Sequence, residues 1–362
     1  MKNVCLILTN ETDAFRGKAF DAVSVFEHAG YPFSEVRIFR QDDGCFASAV
    51  QACKAAADNV IVLLAGFAPA QVERGLESSF GGAFTRGAAD GAGMIEQGEK
   101  TLILLSAQDE EYLRGVCLPY LQRKCGCRMG CLVFRAIGAD EEKLLSLLDR
   151  AEQFAAGKAL IRRERAYGED VIRIFYDGDT PRMLTDDLTR FFAEQLSDNL
   201  YALEDTPLEK QLVELLRLRR KKLCVAESFT GGGVAGKIVS VSGASEVYHE
   251  GLNTYADGSK MQRLGVSEFT LRTQGAVSEQ TAYEMAAGLL QQGNCDVSIA
   301  TTGLAGPKDD GSGLPIGTCF IAVGVESNVY VYRYHLQGDR EEITNTAIRY
   351  ALFLACKHLK NL

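Results

Sequence analysis

Short apolar runs that alternate with helical segments are the feature that most limits the fold of residues 1–156. Residues 5–8, 36–39, 60–64 and 101–105 are apolar runs typical of buried strands. Between them, residues 15–29 and 47–57 carry apolar side chains at helical spacing. A further helix is predicted after Asp140, with its apolar stripe over 144–154 and its end near Gly157. This βαβ order predicts an α/β fold whose first sheet is mostly parallel and has helices on both faces.

The length of 362 residues suggests two or three domains. After residue 157, a strand over 171–176 and a helix opened by Thr180-Pro181 form a unit too small to bury much surface alone, so we expect it to pack on a neighbour. Residues 203–205 are the predicted linker. Thr206-Pro207-Leu208-Glu209 is typical of a capping box with proline at the first helical position, so a third domain is predicted from 206.

The net charge of −9 is unevenly distributed. Residues 1–205 hold 23 Lys+Arg against 32 Asp+Glu, whereas residues 206–362 hold 16 of each. This balance argues against nucleic acid as a partner, and the basic run over 217–222 fits the last turn of a helix. No apolar run reaches transmembrane length. Eleven cysteines without a secretory signal predict reduced thiols and a cytoplasmic location.

A glycine-rich turn over 226–233 is the most informative stretch. A short apolar strand over 223–225 precedes it and a helical pattern over 234–241 follows. Such a turn exposes backbone N–H groups that can hold an anion or a developing oxyanion, and Ser228 at the strand end is placed as a nucleophile. The alternative is a tight turn with a serine cap. These residues alone favour neither interpretation.

Two further segments qualify as parts of the same site. Lys260 follows Tyr255 at a spacing of five residues, and a lysine near a serine can act as its base if burial lowers its pKa. A lone lysine is more often solvated. Residues 300–307 form a second strand-to-glycine turn, and two such turns in one domain predict strand ends that converge on one site.

The cysteines and histidines do not predict a metal site. The cluster of Cys117, Cys125, Cys127 and Cys131 has poor zinc spacing without a neighbouring histidine. The four histidines show no ligand or triad pattern. We therefore expect no metal and no cofactor.

Several ordered motifs between about 207 and 360 resemble the C-terminal domain of the CinA (competence/damage-inducible) family. Residues 226–232 resemble the family's A-E-S-C-T-G-G, and residues 255–260 resemble its Y-S-N-x-x-K. Further matches are Leu264-Gly265-Val266, Gly275-Ala276-Val277-Ser278-Glu279, Thr302-Gly303-Leu304-Ala305-Gly306-Pro307 and Pro315-Ile316-Gly317-Thr318.

This resemblance implies an amidase that converts nicotinamide mononucleotide to nicotinate mononucleotide and ammonia. It implies Ser228 as the nucleophile, Lys260 as the base and Tyr255 as an orienting or proton-relaying group, with Thr230 as the rival hydroxyl. N–H groups over 230–232 would hold the oxyanion. It also implies a small nucleotide substrate, no membrane partner and a homodimer. The implied substrate contacts are Glu227, Thr230, Gly231, Gly232, Thr302, Gly303 and Gly306.

The chain departs from the family pattern at five positions near these motifs. Phe229 replaces a cysteine, Ala256 and Asp257 replace Ser-Asn, Gln274 stands where histidine is common, and Thr344 stands where arginine is frequent. Such changes imply altered specificity or weakened activity. They keep open a second hypothesis, a nucleotide-sensing or scaffold protein without turnover. Lys237 and Arg340 are further candidates for binding the phosphate.

Residues 1–205 resemble the rest of the family in order and length: a molybdopterin-cofactor-biosynthesis-like domain over 1–157 and a KH-like α+β unit over 158–205. The family's G-G-L-G-P-T is here Ala65-Gly66-Phe67-Ala68-Pro69-Ala70, and its G-T-E-L is Thr9-Asn10-Glu11-Thr12. The acidic pair expected next is replaced by Gln71-Val72-Glu73. Because metal-assisted hydrolysis needs carboxylates, we expect the pyrophosphatase activity linked to this domain to be lost.

Overall fold

Three β-sheets with flanking helices form the chain, so the predicted α/β, multi-domain class is confirmed. The computed structural model describes residues 2–10, 13–66, 69–86, 92–126, 130–308, 311 and 313–360. Contacts divide the chain into two compact units. The first unit comprises Met1–Cys131, Ala155–Leu160 and Ile174–Thr185; the second comprises Leu132–Phe154, Ile161–Arg173 and Asp186–Leu362.

The strands are numbered in chain order. They are β1 (Asn3–Thr9), β2 (Phe33–Arg40), β3 (Asn59–Ala65), β4 (Thr85–Arg86), β5 (Gly93–Gln97), β6 (Lys100–Ser106), β7 (Gly130–Ile137), β8 (Ala159–Ala166), β9 (Glu169–Tyr176), β10 (Leu200–Ala202), β11 (Leu223–Glu227), β12 (Tyr248–Asn253), β13 (Val297–Gly303), β14 (Thr318–Val325) and β15 (Asn328–His335).

The α-helices are numbered in the same way. They are α1 (Asp13–His28), α2 (Phe46–Ala56), α3 (Glu73–Leu76), α4 (Glu110–Tyr112), α5 (Leu118–Cys125), α6 (Glu141–Ala155), α7 (Arg182–Gln195), α8 (Leu208–Arg219), α9 (Gly233–Val239), α10 (Asp257–Leu264), α11 (Glu268–Gln274), α12 (Glu279–Gln291) and α13 (Arg340–Lys360).

The six-stranded sheet of the first unit has the order β2-β1-β3-β6-β5-β4, and its first four strands are parallel. All seven residues of β1 are buried. Cys5 packs in a cluster with Phe26 of α1, while Leu6 packs in another cluster with Val50 of α2. Because alternate side chains of a strand face opposite sides, helices cover both faces of this sheet, and the predicted mostly parallel sheet is confirmed.

Four strands form a second sheet of order β10-β7-β9-β8. Along the chain, α6 connects β7 to β8 and α7 connects β9 to β10. Strand β7 begins at Gly130 and thus lies before the predicted domain boundary at 157/158. It nevertheless joins the sheet that contains β9, the strand predicted over 171–176 for the middle unit. The predicted linker is held in place within the second unit, since Asp205 pairs with the guanidinium of Arg135 at 3.0 Å. The predicted boundaries at 157/158 and 205/206 stay predictions about independently folding domains.

The five-stranded sheet has the order β12-β11-β13-β14-β15. Strands β12, β11 and β13 are parallel, and β14 and β15 continue antiparallel. Val225 of β11 packs in a cluster with residues of α8, α9 and α13, whereas Ala226 packs in a cluster with residues of α10 and α12. Helices α9 and α10 therefore lie on opposite faces of this sheet.

The start of α8 differs from the predicted capping box. The helix begins at Leu208, and Pro207 is its N-cap residue with φ −60° and ψ 151°, so proline precedes the first helical position. Pro207, the N-cap residue, makes no side-chain capping hydrogen bond. The prediction was wrong because the extended ψ of Pro207 moves the helix start one residue along the chain, out of register with Thr206.

Candidate active site

The carboxyl ends of three parallel strands meet at one edge of the five-stranded sheet. Glu227, the last residue of the central strand β11, lies opposite Asn253 of β12 and Thr301 of β13. The chain after β11 turns to α9 on one face, and the chain after β12 turns to α10 on the other. In open α/β sheets, ligands bind in the crevice that opens where neighbouring connections diverge in this way.

Glu227 organises the loop that follows β11. Its carboxylate, 1% exposed, accepts hydrogen bonds from the N–H groups of Gly232 (3.0 Å), Val234 (3.0 Å) and Ala235 (2.8 Å). A carboxylate at a helix N-terminus satisfies N–H groups that lack partners within the helix. These three bonds make the Glu227 carboxylate part of the framework of the loop, and the substrate contact that the resemblance implies for it stays a prediction.

Gly231 and Gly232 allow the turn to form. Their φ angles are +62° and +99°, in the region that favours glycine. A Cβ atom at either position would meet no neighbour within 4 Å, so the backbone angle and not the available space requires glycine.

The N–H groups left for an oxyanion differ from those predicted. The N–H of Gly231 donates to the carbonyl of Ser228 (3.1 Å), and that of Gly232 donates to Glu227. Within the described part of the chain, the N–H groups of Phe229 and Thr230 have no hydrogen-bond partner. Of the predicted group over 230–232, only Thr230 therefore offers a free donor, and Phe229 is a donor that the sequence did not reveal.

The two rival hydroxyls have different surroundings. Thr230 is buried, and its hydroxyl forms a 2.6 Å hydrogen bond with the hydroxyl of buried Thr301. The backbone N–H of Ser228 donates to the carbonyl of Thr301 at 3.0 Å, which places Ser228 directly beyond the end of β11. Among the residues with described positions, none hydrogen bonds to the Ser228 hydroxyl. The Thr230 hydroxyl is thus engaged, while the Ser228 hydroxyl is not.

Lys260 lies in α10 and is 1% exposed. Its ammonium donates to the backbone carbonyl of Tyr255 at 3.1 Å and lies 3.7 Å from a carboxylate oxygen of Asp257. Burial lowers the pKa of Lys260, and the Asp257 carboxylate opposes this change. A buried lysine with a lowered pKa is the environment that the sequence analysis required of a base.

Arg340 connects two segments of this edge. It is the first residue of α13, and its guanidinium donates to the carbonyl of Gly306 at 2.6 Å and to the hydroxyl of exposed Tyr255 at 3.4 Å. The other phosphate candidate, Lys237, lies in the last turn of α9, where its ammonium is 3.9 Å from a carboxylate oxygen of Glu209. The structure therefore places Arg340 beside Tyr255 and places Lys237 in a pair with α8.

The second strand-to-glycine turn has mainly structural contacts. The hydroxyl of fully buried Thr302 donates to the carbonyl of Ala276 at 2.7 Å. A Cβ atom on Gly303 would lie 2.5 Å from Cβ of Cys319 and 3.0 Å from the ring of Phe229. These contacts give Thr302 and Gly303 a packing role, and the substrate contacts that the resemblance implies for them stay predictions. The packing contacts also show that Phe229 is a core residue.

The structure brings the predicted groups to one edge without joining all of them. In the described ranges, no hydrogen bond connects the hydroxyl of Ser228 to Lys260 or to Tyr255. Thr301 and Arg340 are neighbours of the site whose contacts the sequence did not reveal. The sequence names Arg340 as a phosphate candidate but not its partners, whereas the role of Thr301 depends on strand register.

The described residues contain neither a metal-binding cluster nor a membrane-spanning helix. No group of three or more His, Cys, Asp or Glu side chains among them is arranged to hold a metal ion. No helix among the same residues has the length and apolar character needed to cross a membrane.

Comparisons with known proteins point to one family. Residues 205–359 match the family described as the CinA C-terminal domain. A CinA-like protein of Kosmotoga olearia is 33% identical over 269 residues, which are 72% of this chain and 64% of that protein. The match thus spans just under two thirds of the relative's length.

Solved structures extend this similarity. A competence-damaged protein (CinA) superfamily protein from Klebsiella pneumoniae is 31% identical, with a TM-score of 0.42, and the match covers 43% of this chain and 97% of that one. A superfamily protein from Escherichia coli is 35% identical, with a TM-score of 0.40 and coverages of 43% and 94%. The family match over residues 205–359, together with the identity to curated CinA relatives, shows that the chain belongs to the CinA family.

Proposed function

We propose that the C-terminal domain hydrolyses the carboxamide of nicotinamide mononucleotide to nicotinate mononucleotide and ammonia. The observation that carries the proposal is Lys260, a lysine 1% exposed whose ammonium reaches the loop after β12, beside the strand end that carries Ser228. Lysine is rarely buried without a specific partner or role, and a lowered pKa is what a general base needs near neutral pH.

In the proposed first stage, the Ser228 oxygen attacks the carboxamide carbon while neutral Lys260 accepts the hydroxyl proton. The resulting oxyanion lies against the free N–H groups of Phe229 and Thr230. When the tetrahedral species collapses, the C–N bond breaks and the leaving nitrogen takes the proton from Lys260, with Tyr255 orienting or relaying it. Ammonia departs and an ester to Ser228 remains.

In the second stage, Lys260 removes a proton from water, whose oxygen attacks the ester carbon. The bond to the Ser228 oxygen then breaks, and the serine regains its proton from Lys260. The carboxylic acid that forms gives its proton to solvent, and nicotinate mononucleotide leaves as the carboxylate. In the same proposal, the guanidinium of Arg340 binds the phosphate, since it lies at this edge beside Tyr255 and guanidinium groups pair well with phosphate oxygens.

The direct test is to incubate the purified full chain with nicotinamide mononucleotide and to measure both ammonia and nicotinate mononucleotide. We expect the two products in equal amounts, at a rate proportional to protein concentration. Nicotinamide riboside, which lacks the phosphate, is the matched substrate and should react with a much higher KM. Ammonia formation equal to that of a protein-free sample would contradict the proposal.

A second candidate is a nucleotide-binding protein without turnover. The observation that favours it is the pair between Asp257 and Lys260, because a carboxylate at 3.7 Å stabilises the ammonium, which cannot act as a base. Equilibrium binding of nicotinamide mononucleotide without ammonia release would support this candidate. Turnover would exclude it.

A further inference from the structure

Asp257 occupies a position where the resembling family motif has asparagine, so a carboxylate replaces a neutral amide one helical turn before Lys260. The Asp257 oxygen lies 3.7 Å from the Lys260 nitrogen, a separation at which charges interact strongly if one of them is desolvated. Asp257 is about half exposed, at 56%, whereas Lys260 is almost completely buried. The exposed carboxylate thus reaches from solvent to a buried ammonium.

The other groups packed around Lys260 do not provide a competing charge. The loop before α10 contributes the neutral carbonyl of Tyr255. Helix α12 packs on α10, and its carboxylate Glu284 is occupied by Thr270, Gln280 and the N–H of Ser267. In the part of the chain with described positions, Asp257 is the charged side chain that acts on the Lys260 ammonium.

We propose that Asp257 is a positioning residue that holds Lys260 as an ammonium ion against the Tyr255 carbonyl and thereby sets the pH range in which Lys260 can accept a proton. The inference rests on the proposed function for its consequence in catalysis. The ion pair itself can be tested without that function.

The direction of the effect follows from which form each interaction favours. Burial favours neutral Lys260, and the Asp257 carboxylate favours the ammonium, so the carboxylate moves the onset of base activity to higher pH. The variant Asp257→Asn restores the family residue and removes the charge with little change in shape. We expect it to move the acidic limb of the kcat–pH profile to lower pH.

At pH 7 and saturating nicotinamide mononucleotide, Asp257→Asn should raise kcat roughly two- to fivefold. The gain is limited because Asp257 is partly solvated and because a weaker base abstracts the proton less readily. The effect is measured on kcat and not on kcat/KM, because removing a carboxylate also lowers the KM for a negatively charged, phosphorylated substrate. The conservative variant Asp257→Glu can rebuild the ion pair, so the acidic limb of its kcat–pH profile should lie at the same pH as in the unaltered chain.

Glu268→Gln is the matched control. Glu268 is also an exposed carboxylate in the first turn of a helix, here α11, so its loss removes the same charge and a similar interaction with the helix N-terminus. Among the described residues no hydrogen bond or ion pair joins Glu268 to Lys260, whose partners are Tyr255 and Asp257, so the pH profile of this variant should coincide with that of the unaltered chain.

A second measurement follows Lys260 directly. In protein labelled with ¹³C-lysine, the Lys260 Cε resonance, assigned by its absence in Lys260→Arg, is titrated in the unaltered chain and in Asp257→Asn. We expect its titration in Asp257→Asn to lie at lower pH. Unchanged titration of Lys260 in Asp257→Asn would overturn the inference, whatever the activity. A shifted titration in a chain that releases no ammonia would support the ion pair and contradict the proposed amidase.

Discussion

The first sheet of the chain and the last contain the same local arrangement of strands but carry different side chains at their ends. In the first unit, β1 lies between β2 and β3, and in the C-terminal sheet, β11 lies between β12 and β13, with all pairs parallel. In each case the chain builds a strand on one side of the central strand and then returns to the other side. Both sheets therefore provide the crevice in which α/β proteins bind ligands.

The two crevices differ in chemistry. At the C-terminal one, Ser228 follows β11 and buried Lys260 lies beyond β12. At the N-terminal one, Ala65 ends β3, and the side chain of Asn10 donates to the carbonyl of Gly66 at 2.9 Å. The predicted motif residues 11, 12, 67 and 68 lie outside the described part of the chain. The comparison teaches that topology provides a place for a site, while the reacting groups at the strand ends decide whether chemistry follows.

The largest expected effect concerns the nucleophile. Ser228→Ala should lower amidase turnover by roughly 10³-fold or more, because nucleophile, base and oxyanion donors act as a unit. Lys260→Ala should cause a similar loss, and Thr230→Ala a smaller one through loop geometry. Ammonia release measures all three, with thermal unfolding as the control for folding.

Ser240→Ala is the matched variant for this test, since Ser240 is an exposed serine at the end of α9, and it should keep normal turnover. If Ser228→Ala kept near-normal turnover while Thr230→Ala lost it, Thr230 would be the nucleophile. That result would also contradict the distinction drawn from the Thr230–Thr301 hydrogen bond.

The next effect concerns the framework of the C-terminal crevice. Glu227→Gln should lower the free energy of unfolding by about 1.5–3 kcal/mol. A neutral amide oxygen accepts hydrogen bonds less strongly than a carboxylate, and the NH₂ group that replaces the second oxygen would face a backbone N–H group that it cannot accept from. Urea unfolding measures this change. Glu214→Gln, at an exposed position of α8, should change stability by less than about 0.5 kcal/mol. Equal changes in the two variants would exclude the framework role of Glu227.

A smaller effect would sharpen the assignment of Arg340. Thr344 lies four residues after Arg340 in α13, so the two side chains share a helix face. Thr344→Arg restores the residue frequent in the family and should lower KM for nicotinamide mononucleotide roughly fivefold by adding a charge-assisted hydrogen bond. Asn345→Arg adds the same charge on another face and should leave KM nearly unchanged. If both variants lowered KM equally, the effect would be long-range attraction alone.

No effect is expected at the N-terminal crevice. When the full chain is incubated with ADP-ribose and Mg²⁺ or Mn²⁺, AMP should form no faster than with the metal alone. The reason is the loss of the acidic pair, replaced by Gln71 and Val72, and of glycines at positions 65 and 68. AMP formation proportional to protein concentration would remove the chemical contrast between the two crevices.

Much of this protein followed from the sequence by itself, because local patterns specify local structure. Apolar runs predicted β1, β3 and β6, and helical spacing predicted α1, α2 and α6, all within a few residues of their observed bounds. The ordered motifs around Ser228 and Lys260 identified the family that the comparisons show. These features depend on neighbours in the chain, which a sequence displays directly.

Only the tertiary structure decided which groups are free to react. The capping bonds of Glu227, the hydrogen bond between Thr230 and Thr301, and the contact of Arg340 with Tyr255 join residues brought together by strand order and helix packing. The capping box predicted at Thr206 failed because Pro207 has an extended ψ of 151° and is itself the N-cap residue of α8. Periodicity encodes which face of an element is buried, but hydrogen-bond partners distant in sequence depend on how the elements pack together.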